Sequence, residues 1–475
     1  MKIQFLAFVL AASVFTTALA QEPAEPAPEH ATTLEDQTDI ALTAYNNGLG
    51  LVRDTREVTL PTGELRIQFR DVAELIRPET VSLRSLTNPG SLTILEQNYE
   101  YDLISPEKLM EKYVGQTVRL VNFSTELGFQ EVTAELLSVN NGPIYEVNGE
   151  IYLGHPGTVV LPEIPENLIA KPSLIWEVDN AAGDQTIEAT YLTNGISWKA
   201  DYVVTLAKDE KALDLAGWVT MNNNSGATYE NALLKLVAGD VNIVAEEMDV
   251  AKFQRMEMAA QAMPAPMAVQ EAFAEYHLYT IPRRTTIKQN QSKQLALLQA
   301  AGVSVEKRYE FRGQLHYYSQ PIQPEGEQHV EAFLVFQNEE ENQMGMPLPA
   351  GIMRVYQEDS EGALQFSGED RIQHTPKDEE VRLRLGTAFD VVGERTQTDF
   401  TRISDRVFET AFEIELRNHK ETDITIDVVE PMPADWEILQ QSHEHEQRDA
   451  FTAVFSIAVP ADGEATLTYR VRVRY

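Results

Sequence analysis

The sequence has 475 residues, of which 74 are Asp or Glu and 38 are Lys or Arg, so its formal net charge is −36 at neutral pH. Nucleic acid is a poor partner for such a chain, because phosphate binding needs clustered Lys and Arg, and a strongly acidic surface repels a polyanion over roughly 8 Å at physiological salt. The chain contains no cysteine, so stability must come from a core built from its 43% hydrophobic residues rather than from disulfides.

The N-terminus has the features of a secretory signal peptide. Lys2 precedes an apolar stretch, residues 5–14, that is too short to span a bilayer, and Ala18 and Ala20 form a small-residue cleavage motif. We expect residues 1–20 to be removed, and no later stretch is apolar enough to span a membrane after this cleavage. The sequence therefore predicts a periplasmic or secreted protein.

The next segments are a linker and a first β region. Residues 21–37 are rich in Pro, Ala and Glu, a mixture that buries little apolar surface and predicts an extended linker. Strand patterns begin near residue 38, and Leu65, Ile67 and Phe69 repeat with a period of two. We therefore predict a β-strand region over residues 38–100.

Residues 101–165 have the pattern of a small inserted unit. Ser105 is suited to cap a helix whose first residue is Pro106, and short strands follow, two of them joined by an Asn148-Gly149 turn. This pattern predicts a short helix and a small β-barrel.

The middle of the chain returns to long strands. Residues 166–243 are predicted to form a central β-sandwich, because alternate residues after position 197 are apolar. Residues 244–276 are rich in Met and Ala and contain two prolines, which predicts a flexible loop. Residues 277–389 are predicted to be a β-rich continuation of the central domain.

Residues 390–475 are predicted to form one antiparallel, immunoglobulin-like β-sandwich. Four segments alternate strongly, namely residues 408–416, 424–428, 451–459 and 466–475. The side chains that this pattern places in the core include Phe412, Ile426, Phe455 and Val471, whereas Arg470, Arg472 and Arg474 should face outwards. The whole chain is therefore predicted to be a mainly β, multi-domain protein of antiparallel sandwiches.

Several sequence blocks resemble one known family. The blocks are residues 191–202, 217–226, 234–242, 346–351, 354–356, 368–370, 374–376, 385–390, 417–420 and 469–473. They are similar to the domain of unknown function 4139 family, which includes proteins labelled mucoidy-inhibitor-like, and the similarity extends from about residue 38 to residue 475. The resemblance implies an exported, mainly β protein with no established reaction. This chain lacks the long coiled coil of some relatives.

Five residues within or near these blocks are candidate ligand-binding or motif residues: Trp198, Asp201, Tyr202, Asn224 and His374. Asp201 should face away from Trp198 and Tyr202 on one strand. Core packing is the alternative role for the two aromatic residues, and a turn is the alternative role for Asn224, which follows a long strand.

The sequence identifies no catalytic residue, no cofactor site and no metal site. Ser105 and Lys108 match a serine-lysine spacing, but helix capping already explains Ser105. His443 and His445 provide only two metal ligands, and the acidic runs at residues 339–341 and 378–380 lack a calcium-loop pattern.

The predicted export, the repeated β-sandwiches and the lack of a recognisable catalytic set together favour an exported cell-envelope binding or scaffold protein. Envelope proteins or polysaccharide are the partners that this hypothesis considers, without a cofactor. The alternative is an envelope hydrolase of the glycosidase type, because so many acidic residues could include a carboxylate pair about 5 to 10 Å apart in a cleft.

Overall fold

The structure is a computed structural model that describes residues 28–475 except residues 125–127, 156, 166–167, 240–268, 274–275, 325 and 434. The predicted signal peptide and residues 21–27 of the predicted linker lie outside these residues. In the part of the chain that is described, strands predominate, and no helix is long and apolar enough to cross a membrane.

The elements are given in chain order. The first part contains β1 (Glu29–Thr32), β2 (Gln37–Tyr45), β3 (Leu49–Thr59), β4 (Gly63–Arg70), β5 (Ser82–Ser85), β6 (Leu92–Glu100), α1 (Pro106–Lys112), β7 (Thr117–Ser124), β8 (Gly128–Ser138), β9 (Ile144–Val147), β10 (Glu150–Leu153) and β11 (Thr158–Val160). The middle part contains β12 (Ser173–Asn180), β13 (Asp184–Asn194), β14 (Ile196–Leu206), β15 (Ala212–Asn223), β16 (Tyr229–Ala238), β17 (Val269–Phe273), β18 (Tyr276–Thr280), β19 (Thr285–Ile287) and β20 (Gln291–Ser304).

The last part contains β21 (Glu306–Arg312), β22 (Glu327–Gln337), β23 (Gly351–Glu358), β24 (Leu364–Ile372), β25 (Glu380–Ser404), β26 (Val407–Asn418), β27 (Ile424–Pro431), β28 (Asp435–Gln441), β29 (Glu446–Asp449), β30 (Thr452–Val459) and β31 (Gly463–Arg474). Short 3-10 helices lie at Leu34–Asp36, Pro78–Thr80, Leu315–Tyr318 and Glu340–Asn342.

Three sheets share the larger hydrophobic core. Their strand orders are β1-β4-β12-β6, β17-β18-β16-β2-β3-β13-β5 with β19 beside β16, and β20-β15-β14-β23-β24. Apolar side chains from all three sheets form one continuous cluster, which also includes Leu334 and Phe336 of β22 and Val381 and Leu383 of β25. Strands from the regions 38–100 and 166–243 therefore share one core with β20, β23 and β24 of the region 277–389, whereas β21 contributes instead to the C-terminal core. The half-buried strand pattern at Leu65, Ile67 and Phe69 is confirmed.

The five-stranded sheet β20-β15-β14-β23-β24 contains a parallel pair that joins distant parts of the chain. Strand β14 pairs with β23 in parallel, with Ala200 opposite Gly351. A Cβ atom at Gly351 would overlap the Ala200 carbonyl group and the Tyr202 ring, so the close approach of these strands requires glycine there. This pairing brings residues near position 354 beside residues near position 201.

The inserted unit forms an open sheet rather than the predicted small barrel. The hydroxyl group of Ser105 accepts a hydrogen bond from the Lys108 N–H at 3.1 Å, which confirms the helix cap of α1. The strand order is β10-β9-β8-β7-β11, and the described residues show no pairing between the edge strands β10 and β11. The predicted turn is present at Asn148 and Gly149, both of which have positive φ.

The C-terminal sandwich is larger than residues 390–475. Its nine-stranded sheet has the order β28-β31-β26-β25-β22-β21-β27-β30-β29, so β21, β22 and the start of β25 belong to it. Strand β21 pairs with β27 in parallel, which departs from a purely antiparallel sandwich. The predicted core residues are confirmed, because Phe412, Ile426, Phe455 and Val471 are all buried.

A buried ion pair lies inside this second core. Arg395 Nη2 lies 2.7 Å from Glu430 Oε1, and both side chains are fully buried. The Tyr318 hydroxyl group donates to Glu430 Oε2 at 2.6 Å. Burial, followed by the Glu430 charge, raises the pKa of Tyr318 well above its usual value, so this phenol stays protonated.

Two segments differ from the sequence-based expectation. Within the predicted linker of residues 21–37, β1 pairs in parallel with β4, and β2 begins at Gln37. Within the predicted loop of residues 244–276, β17 pairs with β18, while residues 244–268 and 274–275 lie outside the described residues. Backbone pairing with an existing strand specifies β1 and β17, and such pairing needs no apolar alternation in the added strand.

Candidate functional site

The outward side of the sheet β20-β15-β14-β23-β24 combines aromatic and charged side chains. We call it the central face. Because side chains alternate along a strand, the register of β15, β14, β23 and β24 determines which residues share this side. They include Trp218, Thr220, Lys199, Asp201, Val203, Ile352, Arg354, Tyr356, Phe366 and Glu369.

Asp201 is the central polar residue of this face. Only 8% of the residue is exposed, although it lies on the outward side of the sheet. Its carboxylate accepts a hydrogen bond from the Thr220 hydroxyl group at 2.9 Å and lies 3.4 Å from Lys199 Nζ. A carboxylate with little solvent contact requires such partners, so neighbouring side chains hold Asp201 in one position.

Arg354 connects Asp201 to the next strand. Its Nη1 atom lies 3.2 Å from Asp201 Oδ1, and its Nε atom lies 3.2 Å from Glu369 Oε2. A planar guanidinium group between two carboxylates fixes the orientation of both. Lys199 and Arg354 balance Asp201 and Glu369, so this polar strip is neutral within a chain of net charge −36.

Aromatic side chains lie on both sides of this strip. Trp218 lies directly opposite Asp201 in the strand register and is half-buried. Tyr356 and Phe366 are opposite one another on β23 and β24, with ring centroids 5.6 Å apart and an edge-to-face arrangement. Ile352 is the residue of β23 that lies opposite Asp201, and Tyr356 is four residues further along this strand. Tyr356 is therefore about 13 Å from Ile352 along the strand. The face therefore offers two aromatic surfaces with hydrogen-bonding groups between them.

The two candidate aromatic residues of β14 point into the core. Trp198 is 4% exposed and Tyr202 is fully buried, so Asp201 faces away from both. The Tyr202 hydroxyl group donates to the Pro349 carbonyl oxygen at 2.8 Å, and burial raises the pKa of this phenol. The Trp198 Nε1 atom is buried without a hydrogen-bond partner in the described residues.

Asn224 and His374 lie at the ends of strands. Asn224 is exposed in the turn after β15, where its backbone N–H donates to the Gly195 carbonyl oxygen at 2.8 Å. His374 follows β24, and its Nδ1 atom accepts a hydrogen bond from the Ala350 N–H at 3.2 Å. The five sequence-based candidates are thus distributed over the core, the central face and two strand ends.

Sequence reasoning did not select the other members of the central face. Trp218, Arg354, Tyr356, Phe366 and Glu369 were not candidate site residues. The alternation along β15 could have placed Trp218 beside Asp201 on the outward side. Only the parallel pairing of β14 with β23 brings Arg354 to the same carboxylate.

Two other polar groups have local structural roles. His443 Nδ1 lies 2.9 Å from the Ser442 hydroxyl group, and His445 Nδ1 lies 2.6 Å from the Gln441 side-chain oxygen. The His445 ring also packs edge-on against Trp436. In the described part of the chain, no group of three His, Asp or Glu side chains is placed to hold a metal ion.

A shallow cleft of about 360 Å³ lies where β20 passes into β21. Its lining includes the carboxylates of Glu306, Glu339 and Glu341, together with Arg308. Arg308 Nη2 lies 2.8 Å from Glu306 Oε2, so one of these carboxylates is held in an ion pair. This cleft is the place in the described structure where the acidic run at residues 339–341 meets a concave surface.

Comparison with known proteins identifies one family. Its profile, described as Domain of unknown function (DUF4139), matches residues 187–475. This match covers most of β13 and every later strand, and it therefore includes the whole central face. No curated protein matches the chain.

Proposed function

The chain belongs to the domain of unknown function 4139 family, and we propose that it is an exported cell-envelope protein that binds a neutral polysaccharide through the central face. A binding or scaffold role agrees with the absence of an identified catalytic set in the sequence. The observation that carries the proposal is the fixed polar strip of Asp201, Arg354 and Glu369 between Trp218 and the Tyr356–Phe366 pair.

This geometry suits a sugar chain. A pyranose ring has an apolar face that packs on an aromatic ring and a perimeter of hydroxyl groups that both donate and accept hydrogen bonds. Aromatic side chains provide a rigid contact area, and ionised side chains form the stronger hydrogen bonds. Ion pairing holds Asp201 and Arg354 in place before a ligand arrives, so little side-chain entropy is lost on binding.

The charge of the chain favours a neutral polymer. A net charge of −36 repels polyanions, whereas the four charges of the polar strip, on Lys199, Asp201, Arg354 and Glu369, balance one another. Electrostatic repulsion is long-ranged compared with ring stacking, so an acidic glycan would meet an unfavourable field before reaching the face.

Native gel electrophoresis in gels containing a soluble glycan tests this proposal. We expect laminarin, dextran or xylan to slow the migration of the wild-type protein, and alginate, a polyanion, to have no such effect. Trp218→Ala should abolish the retardation. Phe451→Ala removes another exposed aromatic ring, 59% exposed and located between β29 and β30, and should behave as wild type. Wild-type migration unchanged in every neutral glycan would contradict the proposal.

Export is a separate part of the proposal. It is supported by the charged and apolar pattern of residues 1–20 and by the Ala18 and Ala20 motif. Fractionation of cells that express the whole chain, followed by N-terminal sequencing, should find a protein that begins at Gln21 outside the cytoplasm. An uncleaved cytoplasmic protein would contradict this part alone.

A glycosidase-like hydrolase is the second candidate function, and the cleft lined by Glu306, Glu339 and Glu341 favours it. Such an enzyme needs two carboxyl groups on either side of the scissile bond. Release of reducing sugar from the same neutral glycans, lost in Glu339→Gln and Glu341→Gln, would establish this activity. Retardation in gels without release of sugar would support binding alone.

A further inference from the structure

An enlarged bulge interrupts the pairing between β22 and β25. His329 pairs with Val392 and Glu331 pairs with Thr387, so residues 388–391 lie opposite the single residue Val330. Bulges of this kind re-aim side chains, and they are frequent beside functional sites. This bulge overlaps the block at residues 385–390 that resembles the family.

Part of the bulge packs into the protein core, and another part exposes an aromatic ring to solvent. Val391 is fully buried, and Ala388 packs against the C-terminal core. The Asp390 carbonyl oxygen accepts a hydrogen bond from the His419 N–H at 2.8 Å. Phe389, in contrast, is 85% exposed. The anchored bulge therefore leaves a large aromatic ring in contact with water, where a ligand can pack on it.

The ring has one aromatic neighbour. The His329 imidazole lies nearly parallel to Phe389, with ring centroids 6.1 Å apart and an interplanar angle of 18°. Polar residues also lie in this part of the sheet, namely Thr387 and Asp390 near Phe389 along the chain and Glu331 opposite Thr387, whereas Val392 is opposite His329. Arg384 also lies on this side, where it pairs with Glu331 at 2.7 Å.

The residues near the aromatic pair favour a sugar over a protein partner. Protein interfaces place aromatic anchors at the centre of apolar, desolvated patches. Around Phe389, the described neighbours instead supply hydrogen-bonding groups, which match the hydroxyl perimeter of a sugar ring. Stacking of a sugar on the exposed ring would leave these rim groups in contact with hydroxyl groups or water.

We propose that Phe389 and His329 form a second contact site for the neutral glycan, so that the physiological ligand is a polymer long enough to occupy more than one site. This inference rests on the proposed function and specifies the ligand further. Two weak contacts on one chain bind a polymer more tightly than either contact binds a short fragment, because the second contact becomes intramolecular.

The test compares a polymer with its fragment, using laminarin, dextran and xylan together with the matching tetrasaccharides. Phe389→Ala should weaken binding of the retained polymer about tenfold and leave tetrasaccharide binding through the central face unchanged. Phe389→Tyr retains a ring and should restore polymer binding. Leu153→Ala, which removes another apolar side chain that is 85% exposed, is the matched control and should have no effect.

The outcomes separate this inference from the proposal on which it rests. In one outcome, wild type binds a polymer that Trp218→Ala no longer binds and that Phe389→Ala binds as tightly as wild type. This result would contradict the second site and would support binding through the central face. If wild type binds none of the glycans, the proposed function fails and the second site fails with it. The unfolding midpoints of Phe389→Ala, Phe389→Tyr and Leu153→Ala should equal that of wild type, since both side chains are 85% exposed and contribute little to the core.

Discussion

The Arg354 guanidinium group bridges from the buried Asp201 carboxylate to Glu369, with a distance of 3.2 Å to each. The residues lie on three adjacent strands, β14, β23 and β24, and Asp201 and Arg354 are 153 positions apart in the chain. Parallel pairing of β14 with β23 creates this contact, and it places charged groups in fixed positions on an otherwise aromatic and aliphatic face.

Replacement of Arg354 should abolish glycan binding to the central face while lowering the stability of the protein only slightly. Arg354→Met leaves Asp201 with Lys199 and Thr220, so we expect the free energy of unfolding to fall by about 1–2 kcal/mol. Glycan retention should be lost, because the guanidinium donor is removed and Glu369 is no longer held in place. Denaturant unfolding and gel retardation measure the two effects. Arg402→Met, in which an exposed Arg402–Asp405 pair is broken, should change neither, and retained glycan binding in Arg354→Met would contradict the role of the strip.

The buried pair of Arg395 and Glu430 should stabilise the C-terminal sandwich only as a pair. Arg395→Met or Glu430→Gln alone should each cost about 3–5 kcal/mol, because each leaves the other polar group buried without its partner. The double substitution Arg395→Met/Glu430→Gln should cost less than the sum of the single losses. Chemical denaturation of the three variants measures this coupling. Strictly additive losses would show that the two side chains act independently.

Gly313 lies against the same pair. A Cβ atom at this position would overlap the Glu430 carboxylate, and it would also approach Arg395. We therefore expect Gly313→Ala to destabilise the sandwich by about 1–3 kcal/mol, through displacement of Glu430 from its ion pair. Unfolding in urea measures the loss. Gly183→Ala, at a glycine that also lacks a positive φ and has no neighbour within 4 Å, is the matched control and should change stability little. An unchanged midpoint in Gly313→Ala would contradict this packing.

Glu210 connects the two cores and should make their contact pH-dependent. Lys307 Nζ lies 2.7 Å from Glu210 Oε1, and Gln357 donates to the same oxygen atom at 3.4 Å. Partial burial alone would raise the pKa of Glu210, but the hydrogen bond and charge of Lys307, with the charge of Lys420, outweigh it and hold the pKa below its usual range.

A lowered folded-state pKa stabilises the protein above the unfolded-state pKa, and this contribution is lost as the pH falls through the folded value. The difference in unfolding free energy between wild type and Glu210→Gln should therefore be about 1 kcal/mol at neutral pH and shrink in acid, below the usual carboxylate range. Urea unfolding over this pH range measures it. A difference that does not change with pH would contradict the ion-pair origin.

The C-terminal fragment of residues 390–475 should not fold alone. Strand β27 pairs with β21, and Tyr309, Phe311 and Val330 complete the core, although all of these lie before residue 390. The fragment therefore leaves one side of its sandwich uncovered and should lack a cooperative thermal transition. The fragment of residues 306–475 contains these strands and serves as its control. A cooperative transition in the shorter fragment would show that the sandwich folds without the residues before position 390.

Side-chain alternation predicted the parts of this fold that depend on local burial. It placed Trp198 and Tyr202 inside and Asp201 outside, and it identified Phe412 and Val471 as core residues. These assignments succeed because a period of two directly reflects a sheet with one side in the core.

Long-range backbone pairing has no comparable signature. Nothing in the residues of β14 indicates that β23 lies beside it, or that β21 pairs with β27, because parallel pairing of distant strands is a property of the whole fold. For the same reason, the sequence did not identify Arg354 as a candidate site residue. It also predicted that the C-terminal sandwich starts at residue 390, after β21 and β22. The bulge that exposes Phe389 also depends on its register with β22.

The most direct test of the central face is hydroxyl-radical footprinting of the intact protein with and without the neutral glycan that retards it. We predict that the glycan protects Trp218, Tyr356 and Phe366 from oxidation, because it stacks on their rings. Phe451, which is 59% exposed on the C-terminal sandwich, should oxidise equally in both samples. Protection elsewhere, with Trp218, Tyr356 and Phe366 oxidised as in the free protein, would contradict the account.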